Sequence, residues 1–284
     1  PKGSLYFDQI YFPLEKTKDL SKVDFDAAFG KSMWTKISCP PAPLGYDTKS
    51  LQILREGAKK LRESTDRAIV GLFGGNLHEI PQFLFRADNW FMMLAAEPDT
   101  VHRFLDQLVE YHSKNLEKYL SAVGDYIDIV QFGDDLGMQT GPQMSKKMYD
   151  TFFKPRHSFL WNLAKKLANV KVMLHCCGGV YPLLPSFIEA GLDIINPVQT
   201  TCRDMEVERL KKEFVKDMVF WGGGCNTQDI LGTGTPKQVI QDVHERVRIL
   251  SPGGGFVFQQ IHNIMANVPP ENIVAMFDAI QTSF

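Results

Sequence analysis

His175, Cys176 and Cys177 stand together in the run Val-Met-Leu-His-Cys-Cys-Gly-Gly, at the end of an apolar stretch that reads as a short buried strand. Side chains alternate faces along a strand, so His175 and Cys177 point one way and Cys176 the other. An imidazole and a thiolate converging at a strand end supply half of a zinc site. Read alone, the pair also fits two packed cysteines beside a hydrogen-bonded core histidine, because free cysteine is among the most buried residue types. Either of two later residues would complete a set of three ligands with an open fourth position, the pattern of catalytic zinc. Cys225 lies in Gly222-Gly223-Gly224-Cys225-Asn226, and His262 in Gln259-Gln260-Ile261-His262-Asn263. Two histidines and one cysteine leave a cationic centre, the stronger Lewis acid toward an ether oxygen. One histidine and two cysteines leave a neutral centre, better suited to a thiol substrate. A small residue packed in a glycine-rich turn is the structural alternative for Cys225.

Asp134 and Asp135 are consecutive, so only one can face inward if the strand before them persists. A carboxylate there can orient a metal-bound histidine, ligate, or act as a general acid, and an N-cap or turn role is the structural alternative. Asn196, Gln199 and Asn263 follow other apolar runs and are candidates for orienting a substrate. Arg156-His157 falls inside an amphipathic segment and is expected to face solvent. The glycine groups at 74–75, 222–224 and 253–255 match neither a dinucleotide fingerprint nor a phosphate loop, and read as turns and close backbone approaches.

What must position these groups is an alternation of short apolar runs and helix-period segments. Strands are expected at Ala68–Phe73, Tyr126–Phe132, Val172–Cys177, Asp193–Ile195, Met218–Trp221 and Phe256–Phe258. Helices are expected at Arg103–Ala122 and Pro236–Leu250, the second opened by Thr235 as N-cap with proline at the first helical position. Repeated strand–helix units imply a parallel sheet, and near-continuous apolar strands imply burial on both faces. Polar, metal-capable residues follow each of these strands, and in parallel α/β architectures function gathers at the carboxyl ends of strands. Six strands are two short of a closed barrel, and an edge hairpin is expected near Tyr6–Leu14.

The chain has 284 residues, 44% of them hydrophobic, enough for one large core, and residues 1–284 are read as a single domain. A net charge of −2 with mixed signs argues against a nucleic-acid groove or a basic membrane patch. No apolar run nears the roughly 20 residues needed to span a bilayer. Five cysteines with no secretory pattern fit free thiols and a cytoplasmic setting.

Several segments in order resemble the uroporphyrinogen decarboxylase superfamily, in its branch of cobalamin-dependent methyltransferases. They are Phe73-Gly74-Gly75, Gln131 to Gly137, Tyr149 to Pro155, His175-x-Cys177-Gly178, Ile195 to Gln199, Gly222 to Gln228, and Pro252 to Asn263 with Val268 to Asn272. The resemblance implies an α/β fold, a distorted (β/α)8 TIM-type barrel, here lacking or diverged at its first N-terminal strand. Such a barrel would expose an edge through which two copies could pair as a homodimer. In that branch zinc is held by the His-x-Cys pair and a thiolate from a late strand. Carried onto this chain, the late position falls on His262. That departure favours members that take a methyl group from a methylated small molecule, such as a methoxylated aromatic, and pass it to the cob(I)alamin of a partner corrinoid protein. The arginine-rich motif and first-strand aspartate of the true decarboxylases have no counterpart here, which makes a metal-free decarboxylase of that type the second reading. A non-catalytic barrel binding a metal or tetrapyrrole is the third.

Overall fold

The computed structural model describes residues 8–39, 41 and 44–283. Each of the six apolar runs holds a strand: β1 (Val70–Gly74), β2 (Ile129–Gly133), β5 (Lys171–His175), β6 (Ile194–Asn196), β7 (Val219–Trp221) and β8 (Phe256–Val257). Two further strands, β3 (Gly137–Met138) and β4 (Gly141–Pro142), form a small antiparallel pair beyond β2. The six pair in parallel in the order β1-β2-β5-β6-β7-β8, which is chain order. A doubly wound sheet reverses its order at a switch point, whereas a barrel wall does not. This is therefore the wall of a distorted TIM-type barrel, and among the described residues β1 and β8 do not pair to close it.

The two faces of the wall differ as period-2 alternation requires. Outward, Phe73, Val130, Phe132, Val172, Leu174 and Phe220 pack into the main core under the helices. Those helices include Pro98–Val123, which contains the expected 103–122 segment, Lys154–Leu167 and Pro236–Leu250. The last opens with a complete capping box between Thr235 and Gln238. Inward, Ile129, Met173 and Ile194 form a layer with Val70, Val219 and Trp221. Two residues further along β2, β5 and β6 the inner face turns polar, at Gln131, His175 and Asn196. Gly133, His175 and Asn196 are register partners at the ends of β2, β5 and β6, so the candidate side chains meet at one mouth.

Two glycines let backbone segments approach around that mouth. Gly74 has φ +88°, and a Cβ there would lie 2.1 Å from the Ser38 carbonyl oxygen. Gly222 has φ +119°, and its Cβ would lie 2.0 Å from the Pro197 oxygen. Only glycine fits such positions. The close approach at Gly74 holds the helix Met33–Ser38 over the end of β1.

Two expectations differ from what is found. Tyr6 lies outside the described residues, and 8–14 contain no strand; Leu14 instead donates its N–H to the Leu84 oxygen at 2.8 Å. His157 does not face solvent. The helix Lys154–Leu167 buries His157, Leu160, Trp161 and Ala164 along one face. The His157 ring stacks on Trp161, with centroids 4.8 Å apart. Arg156 lies mostly covered, bound to Asp106 and to the carbonyls of Phe152 and His102.

Candidate metal centre

The end of β5 and the loop leaving β2 bring three different donors together. Ligand atoms of Asp135, His175 and Cys177 all lie within 4.8 Å of one another, with His175 Nε2 and Cys177 Sγ 3.5 Å apart. Backbone contacts fix the arrangement: Asp135 Oδ1 accepts the Cys177 N–H at 2.7 Å, and Gln199 Oε1 accepts the Gly178 N–H at 2.8 Å. Cys176 faces the opposite side, where its sulfur accepts the Leu136 N–H at 3.3 Å. That is the alternation expected of a strand end.

Asn196 orients the histidine. Its amide nitrogen donates to the Trp221 carbonyl at 3.0 Å and to Gln259 Oε1 at 3.2 Å, so its oxygen faces His175 Nδ1 at 2.6 Å. The Nδ1–H donates to that oxygen and the lone pair is left on Nε2, toward Cys177 and Asp135. Metal-binding histidines are commonly oriented this way. Asn196 thus contacts the histidine rather than a substrate space.

The donors suit a divalent cation in geometry and charge. Bonds of about 2.0–2.3 Å at tetrahedral angles separate ligand atoms by roughly 3.3–3.8 Å, which the His175–Cys177 spacing meets. Burial, then the charges of Asp135 and Glu79, push the Cys177 thiol well above its usual range. A cation reverses that effect and favours thiolate. Nitrogen, sulfur and oxygen donors with a fourth position toward a cavity fit zinc, and among the described residues no lysine or arginine lines the cavity of about 470 Å³ above them.

Glu79 lines this cavity too, and the sequence reading missed it. Burial, followed by the charges of Asp135 and Asp134, raises its carboxyl well above the ordinary value. Asn76 Nδ2 donates to Glu79 Oε2 at 2.6 Å. Both residues follow β1 as Cys177 follows β5, so the strand-end rule pointed to the right loop.

Asp134 is not available to a substrate. It is fully buried, and its carboxylate accepts the N–H groups of Leu77, His78 and Glu79 at 2.9–3.2 Å. His157 Nε2 lies 3.2 Å from Asp134 Oδ2, within ion-pair distance although not aligned as a hydrogen bond. Burial opposes its charge most strongly. Even so, His157, His78 and the Glu79 N–H prevail and hold the carboxyl below the ordinary range. Of the two aspartates, Asp135 is the one at the mouth; Asp134 caps the first turn of the helix Glu79–Phe85 from a distant strand.

Neither proposed third ligand joins the cluster. His262 lines a neighbouring cavity of about 300 Å³ with Gln199, Thr227 and Gln228, while Asn263 lines both cavities. β8 is only two residues long, so the chain has already left the sheet five residues before His262 and need not point it at the mouth. Cys225 is fully buried among Leu231, Val239 and Val243, and burial with the Asp242 charge pushes its thiol up to about 12. Among the described residues, Asp135 supplies the third donor in their place.

The uroporphyrinogen decarboxylase (URO-D) family model matches residues 36–283. The chain belongs to that family. Among curated proteins, the uroporphyrinogen decarboxylase of Thermosynechococcus vestitus is 22% identical over 201 residues, covering 67% of this chain and 51% of that protein. The chain therefore spans about half the length of this relative. Among solved structures, a methyltransferase from Methanosarcina mazei superposes with a TM-score of 0.63 at 19% identity, over 84% of this chain and 67% of that one. That likeness is one of fold. Among the described residues no helix is long and apolar enough to cross a membrane.

Proposed function

We propose that this URO-D family member is a zinc-dependent methyltransferase that moves a methyl group from a methoxylated aromatic to the cob(I)alamin of a corrinoid protein. The observation that carries the reading is the Asp135–His175–Cys177 cluster beneath a cavity that, among the described residues, no lysine or arginine lines. Zinc bound there would act as a Lewis acid toward the oxygen that bears the methyl group. The chain's own residues do the rest. Asn196 fixes the His175 tautomer, Gln199 holds the turn after Cys177, and Glu79 holds a proton near the reacting oxygen. The carbon–oxygen bond breaks with its electron pair on oxygen, and the Co(I) of the acceptor supplies the pair for the new bond to carbon. Glu79 gives its proton to the departing phenolate.

That no lysine or arginine among the described residues lines the cavity favours methyl transfer over decarboxylation of a tetrapyrrole polycarboxylate. Such a substrate needs cations opposite its carboxylates. The test is to mix the zinc-loaded protein with 2-methoxyphenol and cob(I)alamin and follow the cobalamin spectrum. The expected result is methylated cobalamin formed only with zinc present and lost in Cys177→Ala. Zinc-independent turnover, or none with any methoxylated aromatic, overturns the proposal.

A further inference from the structure

The segment leaving β6 carries a strained backbone between the two residues that fix the metal cluster. Among the described residues three non-glycine positions have positive φ, and Val198, at +59°, is the β-branched one. In that left-handed region Cβ crowds the following carbonyl, so a branched side chain there is an outlier. Such strain persists only where the surroundings over-determine it, and here they do. The Val198 side chain is buried in the main core. The Pro197 oxygen sits so close to Gly222 that a Cβ there would come within 2.0 Å of it, and a Cβ at Gly223 would lie 3.3 Å from the Val198 oxygen. Arg246 Nη1 ties down the residues that follow, donating to Thr200 Oγ1 at 2.7 Å and to the Gly223 oxygen at 3.1 Å.

We infer that Val198 is a positioning residue for the metal centre, because its left-handed turn lets one short segment grip both sides of the His175–Cys177 pair. Two residues before it, Asn196 Oδ1 accepts the His175 Nδ1–H at 2.6 Å and the Asn196 carbonyl accepts the Cys176 N–H at 2.7 Å. One residue after it, Gln199 Oε1 accepts the Gly178 N–H at 2.8 Å. Turning φ at Val198 from +59° to an ordinary value near about −65° would swing the chain beyond it by roughly 120° about the N–Cα bond. Asn196 and Gln199 could then not hold the histidine ring and the turn after Cys177 together. The side chain anchors the turn in the core, and the backbone sets the site. The inference rests on the zinc reading only for the use made of this geometry; the two grips stand on their own contacts.

The test separates backbone from side chain at this position. Val198→Gly loses the buried side chain but takes a positive φ freely, whereas Val198→Pro fixes φ near about −65°. Among the described residues the Val198 N–H makes no hydrogen bond that proline would remove. Two readouts are taken: the ring-nitrogen NMR shifts of His175 without metal, and the zinc dissociation constant by competition with a chromogenic chelator. In the wild type and in Val198→Gly the proton is expected on Nδ1, with zinc affinities within about threefold of each other. In Val198→Pro the tautomers should mix and zinc should bind about 10–100-fold more weakly, the usual loss when an outer partner of a metal-bound histidine is removed. A Val198→Pro protein with the wild-type tautomer and affinity overturns the inference. So does Val198→Gly weakened as much as Val198→Pro, since the side chain would then be responsible. If Val198→Pro fails to fold, urea midpoints decide: Val198→Gly should lie above Val198→Ala, the reverse of the usual order, and the usual order overturns the inference. A wild type with the expected tautomer that binds no zinc contradicts the metal reading alone.

Discussion

Glu79 and Asp135 face one cavity. The structure raises Glu79, through burial first and then the charges of Asp135 and Asp134, so it stays protonated well above the 4.5 of an ordinary glutamate. An acid that must donate is active below its folded pKa and loses activity as pH rises through it. Glu79→Gln keeps the size and the contact to Asn76 but carries no transferable proton. It is expected to lower kcat by about 10²–10⁴-fold and to remove the alkaline fall from the kcat–pH profile. A variant with the wild-type profile would exclude Glu79 as the proton donor. His175 and Cys177 were legible in the sequence because strand alternation places i and i+2 on one face. Asp135 was legible only as one of two, because the loop after β2 decides which aspartate turns inward. Glu79 was not legible as an acid, since its raised pKa comes from neighbours distant in sequence.

At the level of elements, one buried carboxylate ties β2 to the loop and helix that follow β1. Asp134 holds three backbone N–H groups and faces His157 from the helix Lys154–Leu167. Asp134→Ala leaves all of these buried without a partner and is expected to cost about 3–5 kcal/mol of stability, read as a lowered urea midpoint. A loss under about 1 kcal/mol would show that the site does not depend on this tie. Six strands and the helix from Pro236 were readable as apolar runs and caps, because both faces of a parallel wall are buried. The solvent placement of His157 failed because a charged flank, Arg156, was read as an exposed face, whereas Arg156 itself spans to Asp106. His262 stays outside the cluster for a different reason. The resemblance places it only by its position after the last strand, and β8 ends at Val257, five residues earlier.

Across the whole molecule, the buried titratable groups make stability depend on pH with a definite sign. Burial lowers His112 from 6.5 to about 4, so the folded state keeps it neutral where the unfolded chain would protonate it. Stability from this group is fully present above about pH 6.5 and is lost as pH falls toward about 4, amounting to about 3 kcal/mol. Asp134 adds a second loss at lower pH, since its carboxyl lies below the ordinary value of 3.8. The urea midpoint is therefore expected to fall between pH 7 and 4.5, and His112→Asn to flatten that slope; an unchanged slope would remove His112 from the account. The barrel wall was legible as an architecture, and six apolar runs already read as two strands short of a closed barrel, whereas the residues that pair along each edge are settled by contacts among distant segments. The central claim is that the mouth of this wall holds zinc through one sulfur and two lighter donors. X-ray absorption at the zinc edge of the loaded protein tests it directly. A single sulfur at about 2.3 Å with nitrogen and oxygen at about 2.0–2.2 Å is predicted, the sulfur lost in Cys177→Ser and retained in His262→Ala. A zinc shell without sulfur, or one whose sulfur survives Cys177→Ser, would contradict it.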